Sequence, residues 1–119
     1  MKATELMIGN YVKYTTPPYI QVASLTRKKI GYHREKFENR LYYVRLSEVT
    51  PIPLTDELLK KNGIEYQFGM PWYQGGADGE FQFRYMSDDI KNEVKITIRY
   101  VHELQNVLAL CGVKKHFEL

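Results

Sequence analysis

A group of basic and aromatic residues between positions 27 and 45 has the side chains for binding nucleic acid. The basic triplet Arg27-Lys28-Lys29 is followed by further cations and tyrosines on adjoining segments. Lys and Arg contact phosphates and tyrosine rings stack on unpaired bases, so this combination is typical of surfaces that bind single-stranded nucleic acid. The predicted nucleic-acid-binding residues are Arg27, Lys28, Lys29, Tyr32, Arg34, Arg40, Tyr42 and Arg45.

The charge distribution favours the same region. Residues 1–53 contain nine Lys and Arg against four acids, a formal charge of +5, whereas the rest of the chain carries −2 of the total of +3. Such an asymmetry can mark a face that binds a polyanion. Lysines in solvated loops produce the same asymmetry, so the charge alone leaves both interpretations open.

An aromatic segment at 66–73 is an alternative binding surface. It contains Phe68, Trp72 and Tyr73 and is followed by the glycine-rich stretch 75–79. Large aromatic side chains often dominate the affinity of protein–protein contacts. This segment therefore predicts a protein-interaction site, in competition with the basic region.

The histidines and the single cysteine predict no metal site and no cofactor. His33, His102 and His116 lie far apart in sequence, and Cys111 with His116 supplies two ligands at most. A zinc site takes three or four protein ligands. Cys111 falls on the apolar stripe of a predicted helix, where a cysteine usually serves as a small buried hydrophobic residue.

No arrangement of nucleophile, general base and oxyanion donor is visible, which predicts a protein that is not an enzyme. The polar residues of 102–106 border the same apolar stripe, and hydrogen bonding to neighbouring backbone is their expected role. The stretch 75–79 lacks the Lys-Ser/Thr pair of a phosphate loop, so a hairpin tip is the better interpretation.

The composition is that of a globular protein. The chain has 119 residues, and its 44% hydrophobic and 26% charged content excludes disordered and fibrous classes. No apolar run approaches the ~20 residues that cross a bilayer, and the opening MKATELMIGN is unlike a secretory signal. These features predict a cytoplasmic protein with no membrane partner, and they leave its oligomeric state open.

The first half of the chain predicts short strands joined by tight turns, with no helix. Apolar and polar residues alternate in four runs, and prolines keep 47–54 extended. The expected strands cover 8–14, 19–26, 30–34 and 40–45. Four or five short strands in about fifty residues are typical of a small curled sheet or an SH3-like barrel.

The second half opens with a helix over 55–62 that has clear start and stop signals. Thr55 is a good N-cap, Gly63 supplies the stop, and Leu54 and Leu59 have the spacing of a hydrophobic staple. An antiparallel meander and a second helix with an apolar stripe follow. These strands and this helix cover 64–69, 80–86, 94–100 and 101–111, and the tail 113–119 is a candidate edge strand.

These elements predict an α+β fold in one compact unit. An SH3-like β lobe, a small curled sheet or barrel, covers 1–53, and an α-β-β-β-α unit with an antiparallel meander covers 54–119. So small a β lobe has a thin core, so we expect it to depend on the second lobe for stability.

Three phrases of the sequence resemble those of a known family. They are LMIGNYV at 6–12, PIPLTDELLKKNGI at 51–64 and IRYVHELQNVLALCG at 98–112. The family comprises small uncharacterised proteins encoded by phages, prophages and conjugative elements of Bacteroides-type bacteria. The resemblance spans nearly the whole chain, although the tail 111–119 departs from the family's usual closing strand. It implies a fold and an origin and adds no catalytic residue, because the family has no assigned activity.

The leading hypothesis is therefore a non-enzymatic accessory protein of a phage or mobile element that binds nucleic acid weakly through its basic N-terminal lobe. The alternative is a protein–protein interaction module that modulates a host or phage complex through the aromatic segment 66–73. Replacing Lys28 and Lys29 by Glu distinguishes the two, because only the first predicts that binding is lost.

Overall fold

Five short strands form two antiparallel sheets in the first of the chain's two units, Met1–Ile52. A computed structural model describes residues 1–35, 39–64, 72–75, 80–86, 93–110, 112 and 117–119, with backbone alone over 72–75, 82–86 and 93–95. The first sheet pairs β1 with β2, and the second has the order β3-β4-β5. The strands are β1 (Tyr11–Lys13), β2 (Tyr19–Gln21), β3 (Ser24–Leu25), β4 (Lys29–Tyr32) and β5 (Tyr42–Arg45).

The predicted strand at 19–26 is divided, because the chain changes sheets between its two halves. The backbone N–H of Val22 donates to the carbonyl oxygen of Asn10 at 2.8 Å. The next N–H, of Ala23, donates to the carbonyl oxygen of Gly31, also at 2.8 Å. Over residues 1–35 and 39–52 no ladder closes the two sheets into a barrel. The antiparallel β part of the α+β prediction is confirmed, and the SH3-like comparison stays a prediction.

The first strand begins at Tyr11 rather than Ile8, because a turn occupies 7–10. Gly9 has a φ of 99°, a value that L-residues with side chains rarely adopt. The Asn10 side chain is 3% exposed, and its Oδ1 accepts the N–H of Met7 at 2.8 Å. Gly9 and Asn10 in the phrase at 6–12 therefore have local structural roles.

Two single-turn 3-10 helices, Ala3–Glu5 and Leu46–Glu48, correct the prediction that the first half has no helix. Each is too short to bury a stripe of its own, so periodicity does not reveal it. Inward-facing side chains of the strands and of these turns form the core of the first unit. Its buried members are Leu6, Val12, Ile20, Val22, Ile30, Tyr32, Val44, Leu46 and Val49.

The second unit, Pro53–Leu119, begins with helix α1 (Asp56–Lys61), whose caps are those predicted. Thr55 Oγ1 accepts the N–H of Leu58 at 3.2 Å, and Gly63 takes a φ of 65°. The N–H of Gly63 donates to the carbonyl oxygen of Lys60 at 3.0 Å, and the N–H of Ile64 donates to the carbonyl oxygen of Leu59 at 2.9 Å. This pair of bonds defines a Schellman motif, and Leu59 and Ile64 are both buried.

An antiparallel meander follows in the order β6-β7-β8. The strands are β6 (Trp72–Gly75), β7 (Phe81–Met86) and β8 (Glu93–Ile98). In their register Gly75 faces Phe81, and Phe83 faces Ile96. The last two strands match the predicted ones at 80–86 and 94–100 to within two residues. The strand predicted at 64–69 lies, from residue 65 onward, outside the described residues.

Helix α2 (Val101–Leu110) is capped by Glu103, whose Oε1 accepts the N–H groups of Arg99 at 3.0 Å and Tyr100 at 3.1 Å. The predicted apolar stripe is confirmed at Val101, Leu104 and Leu108, which are buried. No helix in the described part of the chain has the length and apolar character to cross a bilayer.

The end of the described chain is attached to α1 through Asn62, which is 5% exposed. Its Nδ2 donates to the carbonyl oxygen of Glu118 at 2.8 Å, and its Oδ1 accepts the N–H of Glu118 at 2.7 Å. This side-chain amide thus pairs with the backbone as a neighbouring strand would. Residues 117–119 themselves are not in a strand, and 113–116 lie outside the described residues.

Candidate nucleic-acid interface

A tight β-hairpin turn positions the basic triplet. The N–H of Thr26 donates to the carbonyl oxygen of Lys29 at 3.0 Å, and Thr26 Oγ1 accepts the N–H of Lys29 at 3.1 Å. Arg27 and Lys28 are therefore the two turn residues between β3 and β4, and both side chains are exposed. Thr26 thus closes the turn through both its backbone and its side chain, and the two cations lie at the tip of the turn.

Strand β5 adds a fourth cation to the triplet from a distant part of the sequence. Arg45 faces Lys29 across β4 and β5, and Cβ atoms of such facing residues lie about 5 Å apart. The N–H of Leu46 donates to the carbonyl oxygen of Lys28 at 2.8 Å, which fixes the turn to the end of β5. Arg45 was predicted as a binding residue from its type and its position in the sequence. The strand register explains why it lies beside the triplet.

The four cations border one open cleft, which we call the basic cleft. Its volume is about 530 Å³. Leu46, which is 4% exposed, is its buried member. No acid lines it among the described residues, and Arg27, Lys28, Lys29 and Arg45 make no ion pair with any residue the structure describes. The lining residues are Met1, Arg27, Lys28, Lys29, Arg45, Leu46 and Ser47.

Three more of the predicted residues form a second group, at the other end of β5. The guanidinium carbon of Arg34 lies 4.0 Å from the ring centroid of Tyr42, and that of Arg40 lies 5.0 Å from it. His33 Nδ1 donates to the carbonyl oxygen of Arg40 at 2.9 Å. We call Arg34, Arg40 and Tyr42 the tyrosine–arginine cluster. Its ring attracts the two guanidinium groups, so the cluster offers charge rather than a free aromatic face.

Tyr32 does not belong to this surface. It is 3% exposed, and its ring lies in the core, 6.5 Å from that of Tyr14 and 6.0 Å from that of Tyr42 between centroids. A ring without accessible area has no face on which a base can stack. We therefore leave Tyr32 out of the candidate interface.

Tyr43 was not among the predicted residues, and the structure exposes 57% of it. It faces Gly31 across β4 and β5 and lies two residues from Arg45 on the same face of the sheet. Alternation along 42–45 is the signal that points to it, because Val44 is apolar and must face the core.

The competing aromatic segment is described only in part. Phe68 lies outside the described residues. Trp72 and Tyr73 lie on β6, where their backbones face Arg84 and Phe83 of β7. The protein-interaction hypothesis therefore stays a prediction.

Two polar residues at the start of α2, His102 and Glu103, pack against a ring or cap the helix. His102 is 4% exposed and its ring stacks on that of Tyr100, with centroids 5.9 Å apart and planes 10° apart. Glu103 caps the helix, as described above. Just before the helix, the hydrogen bond and charge of Glu80 raise the pKa of Arg99 above its usual value.

No group of three or more His, Cys, Asp or Glu residues comes together in metal-binding range where the structure describes them. Cys111 and His116 lie outside the described residues. Comparison with protein-family profiles, curated proteins and solved structures finds no match for this chain. The likeness to proteins of phages and mobile elements thus stays a prediction.

Proposed function

We propose that the protein is a non-enzymatic nucleic-acid-binding protein that holds phosphate groups in the basic cleft. The observation that carries the proposal is the convergence of Arg27, Lys28, Lys29 and Arg45 on one cleft that no described acid lines. Facing like charges destabilise a sheet. A phosphate in the cleft removes that repulsion, so binding and the placement of the charges are consistent with each other.

A polymer fits the arrangement better than a small anion does. The basic cleft and the tyrosine–arginine cluster lie at opposite ends of β5, which spans Tyr42–Arg45. At about 3.3 Å per residue, these ends are about 10 Å apart. One phosphate cannot reach both groups, so a ligand that contacts both must carry several phosphates. Contacts of this kind carry no sequence information, so we expect weak binding with little dependence on sequence.

Fluorescence anisotropy against labelled single- and double-stranded DNA and RNA, at several salt concentrations, tests the proposal. Contacts from the four cations of the basic cleft alone give a slope of log K against log salt of about −2.8 for single strands and about −3.6 for duplex DNA; contacts from Arg34 and Arg40 as well steepen it to about −4.2 and −5.4. We expect dissociation constants in the micromolar range at low salt, as for other non-specific binding.

The double variant Lys28→Glu/Lys29→Glu should abolish measurable binding. As a control, Lys13→Glu reverses one charge at an exposed position of β1 that does not line the cleft. Absence of wild-type binding at ~50 mM salt, where charges are least screened, would overturn the proposal. A pull-down for a protein partner of the 66–73 segment would then take its place.

We further propose that the protein is an accessory protein of a phage or mobile element that acts in the cytoplasm, with an SH3-like curled sheet as its first lobe. The three phrases at 6–12, 51–64 and 98–112 support the origin, and the succession of short strands supports the sheet. An experimental structure that shows a different strand order in 1–53 would overturn the second part.

A further inference from the structure

We propose that Tyr43 is a base-stacking platform that makes the basic cleft prefer single-stranded nucleic acid over duplex. This inference rests on the proposed function and extends it to the kind of strand that is bound. It starts from the pairing of β4 with β5, which places Tyr43 on the outer face of the sheet together with Lys29 and Arg45.

The position of the Tyr43 side chain depends on Gly31 opposite it. A Cβ atom on Gly31 would lie 3.1 Å from Cε1 and 3.5 Å from Cδ1 of the Tyr43 ring. The missing side chain thus leaves room for the ring to rest on the strand. Contact with the backbone of Gly31 restricts the movement of the Tyr43 ring, while 57% of the residue stays exposed.

The packing of the Tyr43 ring over Gly31 does not use all of its area, because 57% of the residue is exposed. Its neighbours Tyr42 and Val44 point inward, and Val44 is 5% exposed. The structure gives Tyr43 no contact with another aromatic ring, no cation–π contact and no side-chain hydrogen bond with a described residue. An aromatic residue in such a place has its area available for a ligand.

The distance between Tyr43 and Arg45 suits a nucleotide. Two residues along a strand are about 7 Å apart, which is comparable to the reach from a base to a backbone phosphate. A base stacked on Tyr43 can therefore place its chain over Arg45 and Lys29. In a duplex the bases are already stacked and paired, so this contact is available to single strands alone.

Three probes separate the stacking contact from the phosphate contacts. They are a short oligodeoxythymidylate, an abasic oligonucleotide with the same number of phosphates, and a duplex. Wild-type protein should bind the oligodeoxythymidylate about tenfold more tightly than the abasic probe, within the range that removal of one aromatic platform produces. The Tyr43→Ser variant should lose this preference and bind the oligodeoxythymidylate and the abasic probe equally, with the salt slope of each probe unchanged.

The Tyr43→Phe variant keeps the ring and should stay within about twofold of wild type, which distinguishes stacking from a role of the hydroxyl. Thermal melting of both variants checks that the fold is intact. Equal wild-type affinity for the base-containing and abasic probes overturns the stacking inference and leaves the proposed function standing. No binding of any probe overturns the proposed function itself. An unchanged preference in Tyr43→Ser means that the base is held elsewhere, and it also overturns the inference.

Discussion

The substitution Lys29→Glu should weaken nucleic-acid binding while it stabilises the fold. Lys29 faces Arg45 across β4 and β5, and both side chains are exposed. The substitution replaces a repulsive cross-strand pair by an attractive one, and each such pair changes stability by about 0.2–1 kcal/mol. We expect the free energy of unfolding to rise by about 0.5–1 kcal/mol, and the Tm by about 2–5 °C.

Binding should change in the opposite direction. A unit charge about 6 Å from a phosphate in water contributes about 0.7 kcal/mol, and reversal of that charge removes about 1.4 kcal/mol, a factor of about ten. Lys29→Gln, which removes the charge without reversing it, should weaken binding about threefold. The graded series makes charge, rather than shape, the cause of the effect.

Anisotropy titrations at ~50 mM salt and thermal melts followed by circular dichroism measure the two quantities on the same samples. Lys13→Glu is the control, because it changes the net charge equally at a position that does not line the basic cleft. If the two Glu variants weaken binding equally, the cleft is not the phosphate site. If Lys29→Glu lowers the Tm, the argument from facing charges is refuted.

Two further substitutions test the structure around the site. Gly9→Ala should destabilise the protein by about 1–2 kcal/mol in chemical denaturation, because the φ of 99° strains a residue with a Cβ and no neighbour lies within 4 Å of that atom; an unchanged midpoint contradicts the turn at 7–10. Asn62→Ala removes both hydrogen bonds to Glu118 and should destabilise by about 2–4 kcal/mol. It should also speed amide exchange at Glu118, and unchanged exchange there would mean that the tail is held by other contacts.

The local elements were predictable because their determinants lie within one turn of the chain. The Thr55 cap, the Gly63 stop and the stripe through Leu104 each depend on residues three or four apart. The 3-10 helix Leu46–Glu48 was not predictable, because one turn carries no periodic pattern. The division of the predicted strand at 19–26 depends on partners in two sheets, which short-range patterns do not show.

The candidate site was half predictable for a related reason. Tyr42 and Tyr43 are both plausible surface residues by type, and the alternation of a strand places one inside and one outside. A shift of one residue reverses the assignment. The buried Val44 decides it, since its neighbours Tyr43 and Arg45 must then share the outer face.

The register adds the physical reason to regard the cations as a site. Lys and Arg in separate solvated loops repel each other little, because salt screens charges more than about 10 Å apart. Lys29 and Arg45 lie much closer, at a position where Glu or Asp would be more stable. The described acids of the first unit, Glu5, Glu35 and Glu48, do not line the basic cleft. The facing pair of Lys29 and Arg45 lowers stability, although an acid at either position would remove the repulsion. A binding function explains why two cations stand there.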